Sequence, residues 1–434
     1  MRRHHGLVLA VCVGALVYAC RRWLAARAPT PLNAFLRASR SALTHRSGHP
    51  LVLICGNEAG DLDSAASAIA LSYAITHEWA FFARLGLPRG TYVPVIQTAR
   101  RDFALRRENL AVYAAVGIDV DALVTIDDVR AAGAHVGAFV GLVDHAALAP
   151  SWGTAHVVLI VDHHADVGAH PEARLRAIHS PATDPVGSAS SIVARLYRDA
   201  LGPRAADRQV ADLLLSAGVI DTRNYRPAPD GKATAVDLEA RAFLEPASSF
   251  AHAASARAIV TRGGVAHVEG GTTALEAWST FLQEAKSDVR HLSAPQLLAR
   301  DYKEGTAGAH KFGIAAVPLG LSVVLADSAW WPAVHAWMDA RAVDTLLVML
   351  SSRPGKKRVR ELVLVGRTDV GALARGLEDA RVRGTDAAHP DAPHALGLER
   401  LDAVPLPAHA AAWRQRNTKA NRKIVQPLLE RLLR

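Results

Sequence analysis

Cysteine is scarce in this 434-residue chain, with only Cys12, Cys20 and Cys55, and none forms a CxxC pair. That spacing excludes a zinc ribbon and a disulfide framework. Glycine-rich phosphate loops are missing as well. There is no Walker A loop and no GxGxxG, so the usual nucleotide-binding fingerprints are not available. Aromatic residues make up 6% and do not interleave with the basic clusters Lys356-Lys357-Arg358 with Arg360, or Arg414–Lys423. Stacking of bases therefore has no platform, and no nucleic acid is expected as a partner.

Long apolar runs are also few. Gly6–Cys20 is apolar and is bracketed by Arg2-Arg3 and Arg21-Arg22. It is shorter than the ~20 residues of a membrane span. The pattern fits a signal-peptide core, a marginal anchor extended through Trp23–Ala26, or an acid-free presequence reaching about residue 46. Membrane association through residues 6–26 is the expectation that follows.

What is present is ordinary globular material with a cationic excess. Half of the residues are hydrophobic, 21% are charged, and the formal net charge is +9. The length allows two domains with sizeable cores. The excess charge suits an anionic partner, which includes a polyanionic small substrate.

The most informative stretch is Val157–His164, VVLIVDHH. An unbroken apolar run ending in Asp162-His163-His164 fits a strand buried on both faces of a parallel sheet. Such strands deliver their last residues to the edge where open α/β folds bind ligands. Upstream, Leu51–Cys55 reads as a strand running into Gly56-Asn57-Glu58-Ala59-Gly60-Asp61-Leu62-Asp63-Ser64, and Ala65–Ile75 as a helix. Asp63 and Ser64 fall where a helix N-cap is expected, which leaves Asp61 without a capping role. Thr91–Ile96 and Ala122–Ile126 read as strands and Arg107–Val116 as a helix. Phe139–Val143 is a further apolar run ending at Asp144-His145. Pro185–Ser191 leads into a helix over Ile192–Leu201, and a helix N-terminus rich in small hydroxyl residues is a ready anion site. Val210–Ile220 is a fourth apolar run that stops at an acid, Asp221.

Strand and helix patterns alternate over roughly residues 48–225, which predicts an α/β fold with a parallel sheet. Asp61, Asp63, Asp144, His163 and Asp221 are then expected to converge at one sheet edge. Carboxylates gathered there repel unless cations compensate. Oxygen ligands with an imidazole suit Mn²⁺ or Mg²⁺ better than soft-ligand metals. Two such ions would activate water for attack on a phosphoryl group, with His164 contacting phosphate or protonating the leaving group.

Four segments occur in order: GNEAGDLDSAASAIALSYA, LVDHAAL, VDHHADVG and GVIDT. Together they resemble the DHH phosphoesterase superfamily. In its pyrophosphatase branch the first loop opens with a metal-ligating histidine, where this chain has Asn57. The asparagine form resembles the fungal-type exopolyphosphatases and their animal prune relatives, and the intact Asp162-His163-His164 favours a working enzyme over a prune-like interaction protein. Farther on, Leu297–Glu304 resembles the DYKE segment of a DHHA2 domain. Phe312–Ala315 and Arg360–Leu362 resemble its strand motifs, and Asn421-Arg422-Lys423 its terminal Ser-Arg-Lys signature.

The resemblance implies a parallel-sheet DHH domain over 47–245 and a linker over 246–280. A smaller α/β DHHA2 domain over 281–434 follows, behind an N-terminal extension over 1–46. It implies an exopolyphosphatase that releases orthophosphate from inorganic polyphosphate, with pyrophosphatase or cyclic-nucleotide phosphodiesterase activity as alternatives. Two divalent cations, Mn²⁺ first and Mg²⁺ or Co²⁺ next, would be held by Asp61, Asp63, Asp144, His163 and Asp221, with Asn57 near the first. His164, Lys303, Arg422 and Lys423 would bind phosphate, with Asp162 orienting the histidines. The family points to the cytoplasm, whereas Met1–Ala26 points to a membrane or an organelle.

Overall fold

Alternation of side chains in the first strands places apolar residues on both faces of a sheet, and helices cover both. This is seen in a computed structural model that describes residues 30–45, 48–355, 357–382 and 394–434, apart from the side chains of Pro150, His394 and Lys423. The apolar segment 6–26 lies outside the described residues. Among the described residues no helix is long and apolar enough to cross a membrane.

The chain divides into two compact units between Gln283 and Glu284. The first is built on six strands: β1 (Leu51–Cys55), β2 (Thr91–Ile96), β3 (Val124–Thr125), β4 (Phe139–Val143), β5 (His156–Asp162) and β6 (Leu175–Ile178). They pair in the order β3-β2-β1-β4-β5-β6, all parallel. Strand order reverses between β1 and β4, so the crevice beyond the carboxyl ends of these two neighbours is the switch point where such sheets bind ligands. Val52 and Ile54 of β1 lie on one face, in a core shared with the helices Leu62–His77, Ala189–Leu201 and Arg208–Thr222. Leu53 and Cys55 pack on the other face with Val129 and Trp152.

Sequence and structure differ at identifiable places. Val210–Ile220, read from the sequence only as an apolar run, lies within the helix Arg208–Thr222, so Asp221 is delivered by a helix end. Here all of Val210–Ile220 is buried. The strand expected over Ala122–Ile126 shrinks to Val124–Thr125, because Thr125 caps the helix Ile126–Ala131 through a capping box with Asp128. The folded unit also begins before residue 47. The helix Pro31–Ala42 buries Leu32, Phe35 and Leu36 in the first core, and its Arg40 binds Asp128. Residues 246–280 are likewise integrated, with Ile259, Val260 and Trp278 in that same core.

The second unit carries a mixed sheet of β7 (Tyr302–Ala307), β8 (His310–Val317), β9 (Thr345–Ser352), β10 (Val359–Gly366), β13 (Leu398–Arg400) and β14 (Ala410–Gln415). The small pair β11 (Arg381–Val382) and β12 (His394–Ala395) stands apart. Order in the main sheet is β13-β14-β10-β9-β8-β7, with β8 and β9 parallel and the other pairs antiparallel. Helix Arg422–Leu432 contributes Val425, Leu428 and Leu429 to its core.

Trp278 tests the integration of residues 246–280. Its ring is fully buried and its indole N–H donates to Ser216 Oγ at 3.0 Å. Trp278→Ala should destabilise the first unit by about 3–5 kcal/mol, the cost of deleting a buried large aromatic. Urea unfolding of the full chain reads this, and an unchanged midpoint would show that the segment is not part of the core.

Candidate metal centre

The loop after β1 is folded by its own polar residues. Asp61 is the N-cap of the helix Leu62–His77, its carboxylate accepting from Ser64 N at 3.2 Å. The cap is thus Asp61 rather than Asp63 or Ser64, because the helix starts at Leu62, three residues before the Ala65 start read from its apolar spacing. Gly60 has φ +59°, and a Cβ there would collide with Thr98 Oγ1, so glycine alone fits the turn.

Freed from capping its own helix, Asp63 reaches across to another. Its carboxylate accepts from Ser188 Oγ at 2.6 Å, Ala189 N at 2.7 Å and Ser190 N at 2.8 Å. The hydroxyl-rich helix N-terminus read from Pro185–Ser191 is therefore an anion site, and the anion it holds is Asp63. Burial, with only 1% of Asp63 exposed, raises its pKa, and the charge of Asp144 raises it further.

Asp144 follows β4 in the left-handed region, φ 64°, a conformation that aspartate tolerates better than most residues. One carboxylate oxygen, Oδ2, accepts from Asn57 Nδ2 at 2.7 Å and Ser64 Oγ at 2.8 Å. The other, Oδ1, is buried, lies 3.2 Å from His163 Nε2, and has no hydrogen-bond partner. Burial pushes the Asp144 pKa up to about 6, although the His163 contact pulls against it. Asn57 spends its amide oxygen on the N–H groups of Ala59 and Gly60, so its donor end faces Asp144.

His163 is oriented from behind. Its Nδ1–H donates to the Val186 carbonyl at 3.0 Å, which directs Nε2 between Asp144 Oδ1 and Asp63 Oδ2, the latter 3.8 Å away. A neutral ring would point a lone pair at two carboxylates. Burial lowers the His163 pKa, but the close contact with Asp144 and the charges of Asp63 and Asp144 prevail and carry it up to about 10. Some positive charge, proton or metal, is required here.

Asp162 ends β5 fully buried. Its Oδ1 accepts from the backbone N–H of His163 and His164 and from His164 Nδ1 at 2.8 Å. Burial alone would raise its pKa, yet the His164 bonds bring it below the usual carboxylate range. In return Asp162 raises the pKa of His164, whose side chain is 58% exposed.

Two overlapping groups result. Ligand atoms of Asp144, His163 and His164 lie within 4.8 Å of one another, as do those of Asp63, His163 and Asp221. Asp61 stands beside them, and its charge raises the pKa of both Asp63 and Asp144. The residues fit a divalent cation. The donors are hard oxygens plus imidazole, the histidine has its remote nitrogen fixed by a carbonyl, and a buried carboxylate oxygen stands unsatisfied.

In the second unit Lys303 lies exposed on β7, and Arg422 opens the last helix. Arg422 donates to Asp301 Oδ1 at 2.5 Å, so the DYKE segment and the terminal signature meet within that unit. The Lys423 side chain lies outside the described residues.

Several supporting residues escaped the sequence reading. Val186 holds His163, and Asp237 accepts from Gly187 N and Ser191 Oγ, fixing the segment that carries Val186 and Ser188. The only signal for Asp237 was its spacing from Thr234, with which it forms a capping box.

The metal-free protein should show a distinctive pH dependence. The folded-state pKa of His163 is raised, so the stability it contributes is complete below about 6.5 and is lost as pH rises through about 10. Melting temperature in EDTA should fall across that window, and saturating Mn²⁺ should remove the fall by replacing the proton. An equal fall in His163→Gln would show that another group is responsible.

Residues 51–218 match the DHH family, N-terminal domain, and residues 280–432 match the DHHA2 domain. "Exopolyphosphatase PRUNE1" of Rattus norvegicus is 27% identical over 419 residues, covering 92% of this chain and 78% of that protein. A Schizosaccharomyces pombe protein named "Putative exopolyphosphatase" is 26% identical, covering 90% and 92%. A Deinococcus radiodurans protein named "Probable manganese-dependent inorganic pyrophosphatase" is 28% identical over 227 residues, 51% of this chain and 58% of that one. Taken with the six-stranded parallel sheet, these matches show that the chain carries a DHH family N-terminal domain followed by a C-terminal DHHA2 domain.

Proposed function

We propose that this protein is a divalent-metal-dependent exopolyphosphatase that removes terminal orthophosphate from inorganic polyphosphate. The observation that carries the reading is the convergence of buried Asp63 and Asp144 with Asp221 on His163, with Asp144 Oδ1 unsatisfied. The names of the rat and fission-yeast relatives support the phosphoanhydride substrate class, and the Deinococcus relative supports manganese.

Asp63, Asp144, Asp221 and His163, with Asp61 beside them, would hold two divalent cations, Mn²⁺ foremost and Mg²⁺ or Co²⁺ in its place. Such ions supply Lewis acidity toward a phosphoryl oxygen and lower the pKa of water. Asn57 was expected near the first metal. As placed, it orients Asp144 through its amide N–H and has its oxygen committed to its own loop. Asp162 raises the pKa of His164, and the exposed His164 ring is suited to donate a proton to a departing phosphate oxygen or to bind it. Lys303, Arg422 and Lys423 are the proposed phosphate contacts of the DHHA2 domain, where Arg offers a bidentate fork and Lys a point charge. The DHH domain is proposed to run to about residue 245, with residues 246–280 packed into the same core, and the DHHA2 domain from about 281.

Purified protein with Mn²⁺ should release orthophosphate from long-chain polyphosphate, and Asp144→Ala should lower the rate by at least about 100-fold. Parallel assays with pyrophosphate and a cyclic nucleotide discriminate the other activities of the superfamily. If wild type and Asp144→Ala were equally inert with Mn²⁺, Mg²⁺ and Co²⁺, the enzyme reading would fail in favour of a prune-like interaction protein.

A further inference from the structure

We propose that Lys232 is a phosphate-binding residue of this centre, which exchanges Asp221 for a phosphoryl oxygen once divalent cations occupy the cluster. The inference rests on the metal-centre reading above and adds a cation supplied by the DHH domain itself.

Lys232 Nζ lies 3.7 Å from Asp221 Oδ2, and Asp221 shares a candidate ion position with Asp63 and His163. That separation is beyond hydrogen-bond range, so the pair is held by charge alone and can part without losing a directed bond. The Lys232 side chain is 55% exposed, within reach of a substrate arriving from solvent.

Its backbone, by contrast, is firmly mounted. Gly231 N donates to Pro227 O and Ala233 N to Arg226 O, both at 2.9 Å, so the residues on either side are pinned. Thr234 donates to Asp237 through N at 2.7 Å and Oγ1 at 2.9 Å, and the same carboxylate binds Gly187 N and Ser191 Oγ. Gly187 packs directly on this loop, because a Cβ there would come within 2.8 Å of Lys232 O. The segment that orients His163 and seats Asp63 therefore also carries the Lys232 backbone. A fixed base with a flexible four-carbon stem delivers an ammonium to one place while leaving it free to change partners.

Charge decides which partner it takes. Without metals the cluster is strongly anionic, and Lys232 neutralises part of Asp221. With divalent cations bound, Asp221 is engaged by them, its hold on the ammonium is offset, and the nearby cations repel it. An anionic phosphoryl group on the same cations restores the attraction, and a lysine donor to a phosphate oxygen is a charge-assisted contact. Lys232 should thus weaken metal binding and strengthen phosphate binding. A lysine that merely supported Asp221 would strengthen both.

The test uses the full-length protein and two probes: Mn²⁺ alone, and methylenediphosphonate added to the Mn²⁺-saturated protein, each by titration calorimetry. Lys232→Met should bind Mn²⁺ about threefold or more tightly, as expected for removing a partly exposed opposing charge. It should bind the diphosphonate about tenfold more weakly, with an unchanged melting temperature. Lys232→Arg should stay near wild type on both probes. Unaltered diphosphonate binding in Lys232→Met would overturn the proposal, and so would Mn²⁺ binding that became weaker or stayed the same. Wild-type protein that binds both probes but hydrolyses no polyphosphate would sink the exopolyphosphatase reading and leave this one standing.

Discussion

The site depends on one electrostatic constraint: buried carboxylates gathered around a single imidazole nitrogen. At an effective dielectric constant of about 20, two unit charges ~4 Å apart interact by roughly 4 kcal/mol. Asp63 and Asp144 both flank His163 Nε2, are nearly devoid of solvent, and have raised pKa values. The fold tolerates this only by returning charge. A helix N-terminus serves Asp63, amide and hydroxyl donors serve one oxygen of Asp144, and a cation at His163 serves the rest.

Much of the first unit can be seen as scaffolding for that arrangement. The order reversal between β1 and β4 sets their carboxyl ends side by side, which brings the Asn57–Ser64 loop against Asp144. The next strand out, β5, adds Asp162 and the two histidines. Helix ends then complete the set: Ala189 and Ser190 N–H hold Asp63, and the last turn of Arg208–Thr222 presents Asp221. Asp237, fully buried and remote in sequence, ties the loop of residue 187 to that of residue 234. These polar residues pin the centre because each accepts from donors on a second element.

Legibility followed the range of the physics. β1, β2 and β4 were readable to the residue, because a buried strand must be apolar along its length and ends where polarity returns. The helix Arg107–Val116 was equally plain, closing on Gly117 in the left-handed conformation. Val210–Ile220 was less plain, since a mostly apolar run broken only by Asp212 and Ser216 leaves little period to separate a strand from a helix. Capping misled in a related way. Three polar residues, Asp61, Asp63 and Ser64, compete for one cap, and which of them takes it depends on the partners the other two find elsewhere.

By itself the sequence determined the parallel α/β character of the first unit, the acids and histidines that gather beyond its strands, and the presence of DHH and DHHA2 domains. Those follow from local apolar patterning and from ordered motifs that survive without knowledge of any contact. Tertiary structure alone decided the division of labour among the polar residues: Asp61 capping its helix, Asp63 seated on a second helix, Asn57 turned toward Asp144, and Lys232 set beside Asp221. The reason is that a carboxylate or ammonium acquires its role from the charges and donors within a few Å, and here those neighbours come from positions up to 127 residues apart.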